Sequence, residues 1–262
     1  MKKRRFEREK LRRGIYILPN IFTSLNIFCG FYAVIAAING KFEAAALAIL
    51  IAGVFDLLDG KIARATCTTS KFGVEYDSLA DLISFGLAPA LMVYLWALRP
   101  MGRIGWLAAF LFMVCGALRL ARFNTQVGTI SSEHFVGLPI PAGAGMNAVT
   151  VLFCYGFGMD EIKNPVVILI MLYVLSFLMV STIRYESFKR PELFRKMNFN
   201  VLVSMILILI FIAAQHEIAL FLLGLVYVCS GPVSAIKRHK EIALKTAGPE
   251  TDMEEQIRIR EK

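Results

Sequence analysis

Histidine is scarce in this chain, and cysteine in any paired spacing is missing. Three histidines, His134, His216 and His239, are scattered through 262 residues. The five cysteines, Cys29, Cys67, Cys115, Cys154 and Cys229, show no CxxC and no Cys/His spacing. That excludes a zinc-type site and a disulfide framework. Four of the five fall in apolar segments, where cysteine behaves as a small hydrophobe. Long polar stretches are missing too: no soluble domain, internal repeat or low-complexity linker interrupts the sequence. Acids are in the minority, 20 Asp and Glu against 29 Lys and Arg, giving a formal net charge of +9.

What is there is apolar. Hydrophobic residues make up 57% of the chain and the mean hydropathy is +0.61, whereas soluble domains hold roughly 45–50% apolar residues. Eight apolar segments follow one another, at about 16–39, 42–63, 73–97, 104–120, 138–158, 164–183, 199–214 and 217–235. Most reach the ~20 residues that a helix needs to cross a bilayer, and 199–214 is the shortest. The expected fold class is all-α, a polytopic helical membrane protein, because a helix satisfies its own backbone polar groups in lipid. The apolar run after the basic start is too long for a signal-peptide core of ~7–15 residues and reads as a retained first crossing.

The positive charge has an address. With the N-terminus in the cytoplasm and all eight segments crossing, 25 of the 29 Lys and Arg fall inside. Lys41, Arg99, Arg103 and Lys163 fall outside. This is the positive-inside pattern of an inner (cell) membrane protein with both termini cytoplasmic. Basic flanks of this kind suit anionic lipid head groups and need no nucleic-acid partner. The expected division is a basic juxtamembrane segment over 1–14, either a short surface helix or a tail, a membrane domain over 15–236, and a charged tail over 237–262.

Against this background four aspartates stand out: Asp56, Asp59, Asp77 and Asp81. Ionisable groups in a bilayer are expensive and mark function. The pairs are spaced i,i+3 and i,i+4, so on helices each pair projects from one face. The topology brings both pairs to the cytoplasmic ends of neighbouring antiparallel crossings. Four clustered carboxylates require cations, and an all-oxygen donor set selects hard divalent ions, Mg2+ or Mn2+. Two such ions at the inner surface fit phosphoryl chemistry. Arg64 stands where it can pair with a phosphate. Gly60, Ala63 and Gly73 either let a nucleotide approach the backbone or let helices pack closely.

The pattern Asp-x2-Asp-Gly-x2-Ala-Arg-x8-Gly-x3-Asp-x3-Asp, complete in residues 56–81, resembles the signature of the CDP-alcohol phosphatidyltransferases. The resemblance implies a six-helix core, here with two further transmembrane helices for about eight in total, and a homodimer. It implies transfer of a phosphatidyl group from CDP-diacylglycerol to an alcohol, with release of CMP. Asp56, Asp59 and Asp77 would be metal ligands, and Asp81 both a ligand and the general base. Gly60, Arg64 and Ser70, with Gly73, match positions that hold the CDP moiety. Asn20 and Thr23 in Pro19-Asn20-Ile-Phe-Thr23 match a first-crossing motif facing the diphosphate.

Two later segments, Cys115–Asn124 and Phe135–Gly143, resemble the branch of that family whose acceptor is L-serine; Asn26 stands where many other branches carry arginine. Arg119 and Arg122 would pair with the serine carboxylate, since guanidinium forks fit carboxylates, and Asn124 would orient it. The bland alternative makes both arginines inside-positive anchors. The Gly137–Pro141 stretch is expected to be mainly structural. Other acceptors (glycerol 3-phosphate, inositol phosphate), a CDP-archaeol donor, an inactive scaffold and a divalent-cation transporter are the competing readings.

Overall fold

The computed structural model describes residues 2–66, 70–126, 135–159, 162, 164–185, 215 and 217–236. Cys67, the three histidines, the 199–214 segment and the 237–262 tail lie outside the described residues.

The first two apolar runs form α1 (Lys2–Ile38) and α2 (Phe42–Ala65). Asn39, Gly40 and Lys41 make the turn between them, with Gly40 at φ 72°. The two helices pack antiparallel through buried alanines, Ala33, Ala36 and Ala37 against Ala45, Ala46, Ala48 and Ala52. Small side chains let helix backbones approach where lipid offers no hydrophobic drive to associate.

The third run is one composite rod. It begins as α3 (Lys71–Asp81), widens to a π-helical stretch at Leu82–Leu87, continues as α4 (Ala88–Val93), widens again at Tyr94–Leu98 and ends in a 3-10 turn, Arg99–Met101. Pro89 gives a physical reason for the first widening, since proline lacks an N–H and its ring would strike the carbonyl of Phe85 in a tight α-helix. Beyond Gly102 runs α5 (Arg103–Gln126), then α6 (Ile140–Gly156) and α7 (Pro165–Val180), which Asn164 caps at the Val166 N–H, 3.2 Å. The last described helix is α8 (Glu217–Ile236).

A two-residue ribbon joins the segment before α6 to the segment after α7. β1 (Phe135–Val136) pairs antiparallel with β2 (Arg184–Tyr185), Phe135 opposite Tyr185. Gly137 then turns with φ 82°, its N–H donating to the Ile183 carbonyl at 2.8 Å, and Leu138 N–H donates to the Leu178 carbonyl at 3.0 Å. A Cβ at Gly137 would run into the Met179 carbonyl oxygen, so the start of α6 is strapped to the end of α7.

The expected all-helical membrane architecture is observed. Pro19–Ile38, Lys71–Met101, Arg103–Thr125 and Glu217–Ile236 are long and apolar enough to cross a bilayer, while α6 and α7 are apolar but shorter, at 17 and 16 residues. The 24-residue α2 is long enough, but Asp56, Asp59, Lys61 and Arg64 crowd the part of it from Asp56 onward. Phe28, Phe31, Leu47, Val167 and Phe177 point outward, as lipid-facing residues should.

Candidate active site

Helices α1, α2 and α3 converge where the chain turns from α2 to α3. There Asp56, Asp59 and Asp77 each present a carboxylate oxygen within 4.8 Å of the others. The i,i+3 spacing on α2 puts two of them on one face, and α3 supplies the third. The donors are all hard oxygens. One oxygen of Asp77 is buried with no hydrogen-bond partner among the described residues. A carboxylate in that state needs a positive counterpart, because unpaired buried acceptors cost free energy. The cluster therefore fits a divalent cation, the general requirement of the family it resembles.

The first helix buttresses the cluster. Thr23 donates its hydroxyl to Asp59 Oδ2 at 3.0 Å and also reaches the Pro19 carbonyl at 3.2 Å. Asn26, fully buried, donates Nδ2 to Asp81 Oδ1 at 3.4 Å. Ser84, one turn beyond Asp81, donates to the Asn26 carbonyl at 2.9 Å. Asp81 is itself buried and lies within hydrogen-bonding reach of Asp56, beside the group of three carboxylates.

Two cavities flank the carboxylates. One, of about 170 Å3, is lined by Asn20, Thr23, Asp59, Gly60, Arg64, Ser70, Gly73 and Asp77, with Pro19, Ala63 and Val74. It gathers all six residues expected to hold the CDP-lipid. Its floor is built for close approach. Ser70 caps α3 by accepting the Gly73 N–H at 3.0 Å. A Cβ at Gly73 would stand 3.2 Å from Ser70 Oγ and 3.7 Å from Asn20 Oδ1. At Gly60 the nearest atoms to such a Cβ all belong to the Arg64 guanidinium, so this glycine opens onto the cavity instead of a neighbouring helix. Arg64 lies within electrostatic reach of Asp56 and Asp59.

The second cavity, of about 610 Å3, is largely apolar. Asp56, Asp77, Asp81, Arg119 and Asn124 face it, with Leu50, Val54, Phe123 and the Pro139–Ala142 turn among its walls. Arg119 has a buried Nε without a partner and feels the charge of Asp81. Asn124 exchanges hydrogen bonds with Ser78 at 3.0 and 3.3 Å, and its Nδ2 reaches Glu75 at 3.5 Å, so it ties α5 to α3. Arg122 is half-buried and lines neither cavity.

Ser78 and Ser84 are polar neighbours of the site outside the motif positions, and Asn26, read above only as a mark of the family branch, bonds to Asp81. One signal was present: Asn20, Thr23 and Asn26 recur every three residues along one face of α1.

Comparison with known proteins agrees with this geometry. A protein of Helicobacter pylori (strain ATCC 700392 / 26695) named CDP-diacylglycerol–serine O-phosphatidyltransferase is 39% identical over 214 residues, 81% of this chain and 90% of that protein. One of the same name from Bacillus subtilis (strain 168) is 36% identical over 173 residues, 66% of this chain and 92% of that protein. An archaetidylserine synthase of Methanothermobacter thermautotrophicus is 38% identical over 170 residues, 64% of this chain and 69% of that protein. The family description CDP-alcohol phosphatidyltransferase matches residues 16–180, a span that holds all four aspartates and both cavities, and the chain belongs to that family.

Proposed function

We propose that this chain is a membrane transferase that moves the phosphatidyl group of CDP-diacylglycerol to the hydroxyl of L-serine, giving phosphatidylserine and CMP. The observation that carries the reading is the position of Asp56, Asp59 and Asp77 between a small cavity lined by Asn20, Arg64 and Ser70 and a larger one that holds Asp81 and Arg119. A nucleotide diphosphate fits the first side; a lipid tail and a small zwitterion fit the second. The serine-acceptor names of the Helicobacter and Bacillus relatives support the acceptor.

In this mechanism Asp56, Asp59 and Asp77, with Asp81 at the edge, would hold two divalent cations, Mg2+ or Mn2+. When bound, the ions neutralise diphosphate charge and make CMP a better leaving group. Asn20, Gly60, Arg64, Ser70 and Gly73 cradle the CDP moiety, with Arg64 against a phosphate. Thr23 fixes the orientation of Asp59. Arg119 pairs with the serine carboxylate, a role that Arg122, which lines neither cavity, does not share. Asn124 holds the α5 wall while facing the acceptor. Asp81 takes the proton of the serine hydroxyl as that oxygen bonds to phosphorus and the bond from phosphorus to the CMP oxygen breaks. Asn26 holds Asp81 toward the cavity.

The Lys and Arg distribution supports cytoplasmic termini and a cytoplasmic site in the cell membrane. It also supports contact of residues 1–14 and 237–262 with anionic lipid, leaving 15–236 as the catalytic membrane domain. Family resemblance supports a homodimer. The test is direct: purified protein in detergent, CDP-diacylglycerol, Mn2+ and labelled serine, with CMP release followed against acceptor. Serine-dependent CMP is expected; folded protein that releases none refutes the acceptor. The archaetidylserine synthase relative favours a second reading, the same acceptor with CDP-archaeol; substituting that donor in the assay decides it.

A further inference from the structure

We infer that Ser78 and Asn124 form the ammonium subsite of the acceptor cavity, with Glu75 behind them as a positioning residue. The inference deepens the proposed reaction and rests on it. L-Serine presents a hydroxyl, a carboxylate and an ammonium, and the first two have partners in Asp81 and Arg119. Glu75 and Ser78 occupy variable positions of the aspartate signature, so the resemblance assigns them nothing.

Both proposed ligands line the cavity. Ser78 precedes Asp81 by three residues on the cavity face of α3, about 4.5 Å along the helix axis, and Asn124 stands on the α5 wall that also carries Arg119. They are bonded to each other across the two helices. Asn124 Nδ2 donates to Ser78 Oγ at 3.0 Å, and Asn124 Oδ1 lies 3.3 Å from the same oxygen. Ser78 also reaches the Val74 carbonyl at 3.0 Å. A hydroxyl carries one proton. With that proton on the Val74 carbonyl, Ser78 Oγ keeps a lone pair beside its bond from Asn124, and Asn124 Oδ1 can accept from a ligand. Glu75 decides which way the amide turns. It accepts from Asn124 Nδ2 at 3.5 Å, and an ionised carboxylate only accepts. The amide nitrogen is therefore held toward Glu75, and the amide oxygen is left beside Ser78. Two neutral oxygens side by side, with a carboxylate behind them, suit the hydrogens and the charge of a primary ammonium. Asp56 and Asp77 face the same cavity but belong to the group that fits a divalent cation. Glu75 is exposed and lies outside that group, so its charge remains for the ammonium.

The test uses the full chain in lipid nanodiscs, measuring CMP release at varied serine and varied CDP-diacylglycerol. Glycerate, which carries a hydroxyl where serine carries the ammonium, is added as a competitor. Wild type should hold glycerate at least about tenfold more weakly than serine, because a hydroxyl brings no charge to the subsite. Ser78→Ala should raise serine KM about 10- to 100-fold, the cost of one hydrogen bond to a charged group, with the KM for CDP-diacylglycerol within about twofold of wild type. Glu75→Gln keeps an accepting oxygen and removes the charge. Its serine KM should rise about three- to fivefold, the size of an exposed charge pair, while glycerate inhibition holds, so the gap between the two ligands narrows. This variant carries the test if Ser78→Ala does not fold. Glycerate held as tightly as serine by wild type, unchanged serine KM in the variant tested, or a loss shared equally by serine and glycerate overturns the inference while the proposed reaction stands. Wild-type protein without serine-dependent CMP release overturns both.

Discussion

The two sides of the carboxylate group are built differently. On the nucleotide side, every polar residue comes from α1 or from the 26 residues spanning Asp56 to Asp81, and the side chains are already bonded into place: Thr23 to Asp59, Ser70 to Gly73. On the acceptor side, the walls come from α2, α3, α5 and the start of α6, and the arginine that faces the cavity has an unpartnered nitrogen. The first cavity is about 170 Å3; the second is about 610 Å3 and the more apolar of the two. A pocket for a constant group can be encoded locally and held rigid. A pocket for the variable partner has to admit a lipid as well as a small polar molecule, and it is assembled from distant segments. Substitutions on the two sides should therefore fail in different kinetic parameters.

The largest effect tests what the two sides share. Asp59→Ala or Asp56→Ala should abolish CMP release and also the stabilisation that Mn2+ plus CDP-diacylglycerol gives in a thermal-shift measurement. Chelation of wild type with EDTA should reproduce both losses. Retained metal-dependent binding in either variant would detach the carboxylate group from the ions. Next comes Asp81→Asn, which leaves three carboxylates in place. Turnover should fall by roughly 10^2–10^4, the range for loss of a general base, while the thermal shift with CDP-diacylglycerol persists. Normal turnover would contradict the base assignment.

Arg119→Lys separates the sides. Charge is kept and the fork is lost, so serine kcat/KM should drop about 10- to 100-fold, the cost of a charge-assisted hydrogen-bonded pair. The KM for CDP-diacylglycerol should hold. An equal loss for both substrates would return Arg119 to the role of a topological anchor. Arg122→Lys is the internal control and should change little, because Arg122 lines neither cavity.

That last contrast shows where sequence stops being legible. Asp56, Asp59, Asp77 and Asp81 announced themselves because intramembrane acids are rare and their spacing follows the helix repeat. The apolar helices, α8 among them, were legible from apolar length, with α3 and α4 read as a single run over 73–97. Arg119 and Arg122 looked equivalent because an i,i+3 pair shares one broad face. Yet successive residues advance by about 100°, which leaves such a pair roughly 60° apart, and the cavity edge falls between them. The π-helical widening after Asp81 follows from Pro89 only once the rod is known to continue through it.

The smallest expected effect lies on the nucleotide side, at Ser70. The residue has two claims on it. Its hydroxyl caps α3 through the Gly73 N–H, and the same side chain lines the nucleotide cavity. Ser70→Ala removes both functions; Ser70→Asn keeps an accepting cap and changes the group offered to the ligand. Loss of an N-cap costs about 1 kcal/mol at the start of α3, and that start carries Gly73 and, one turn on, Asp77. If capping is the whole contribution, Ser70→Ala should raise the KM for CDP-diacylglycerol about fivefold at most, as 1 kcal/mol allows, and Ser70→Asn should restore it. If the hydroxyl also meets the nucleotide, Asn restores the melting temperature of the protein but not the KM. Either outcome leaves serine KM alone, and a shift there would mean that the two sides are coupled through α3.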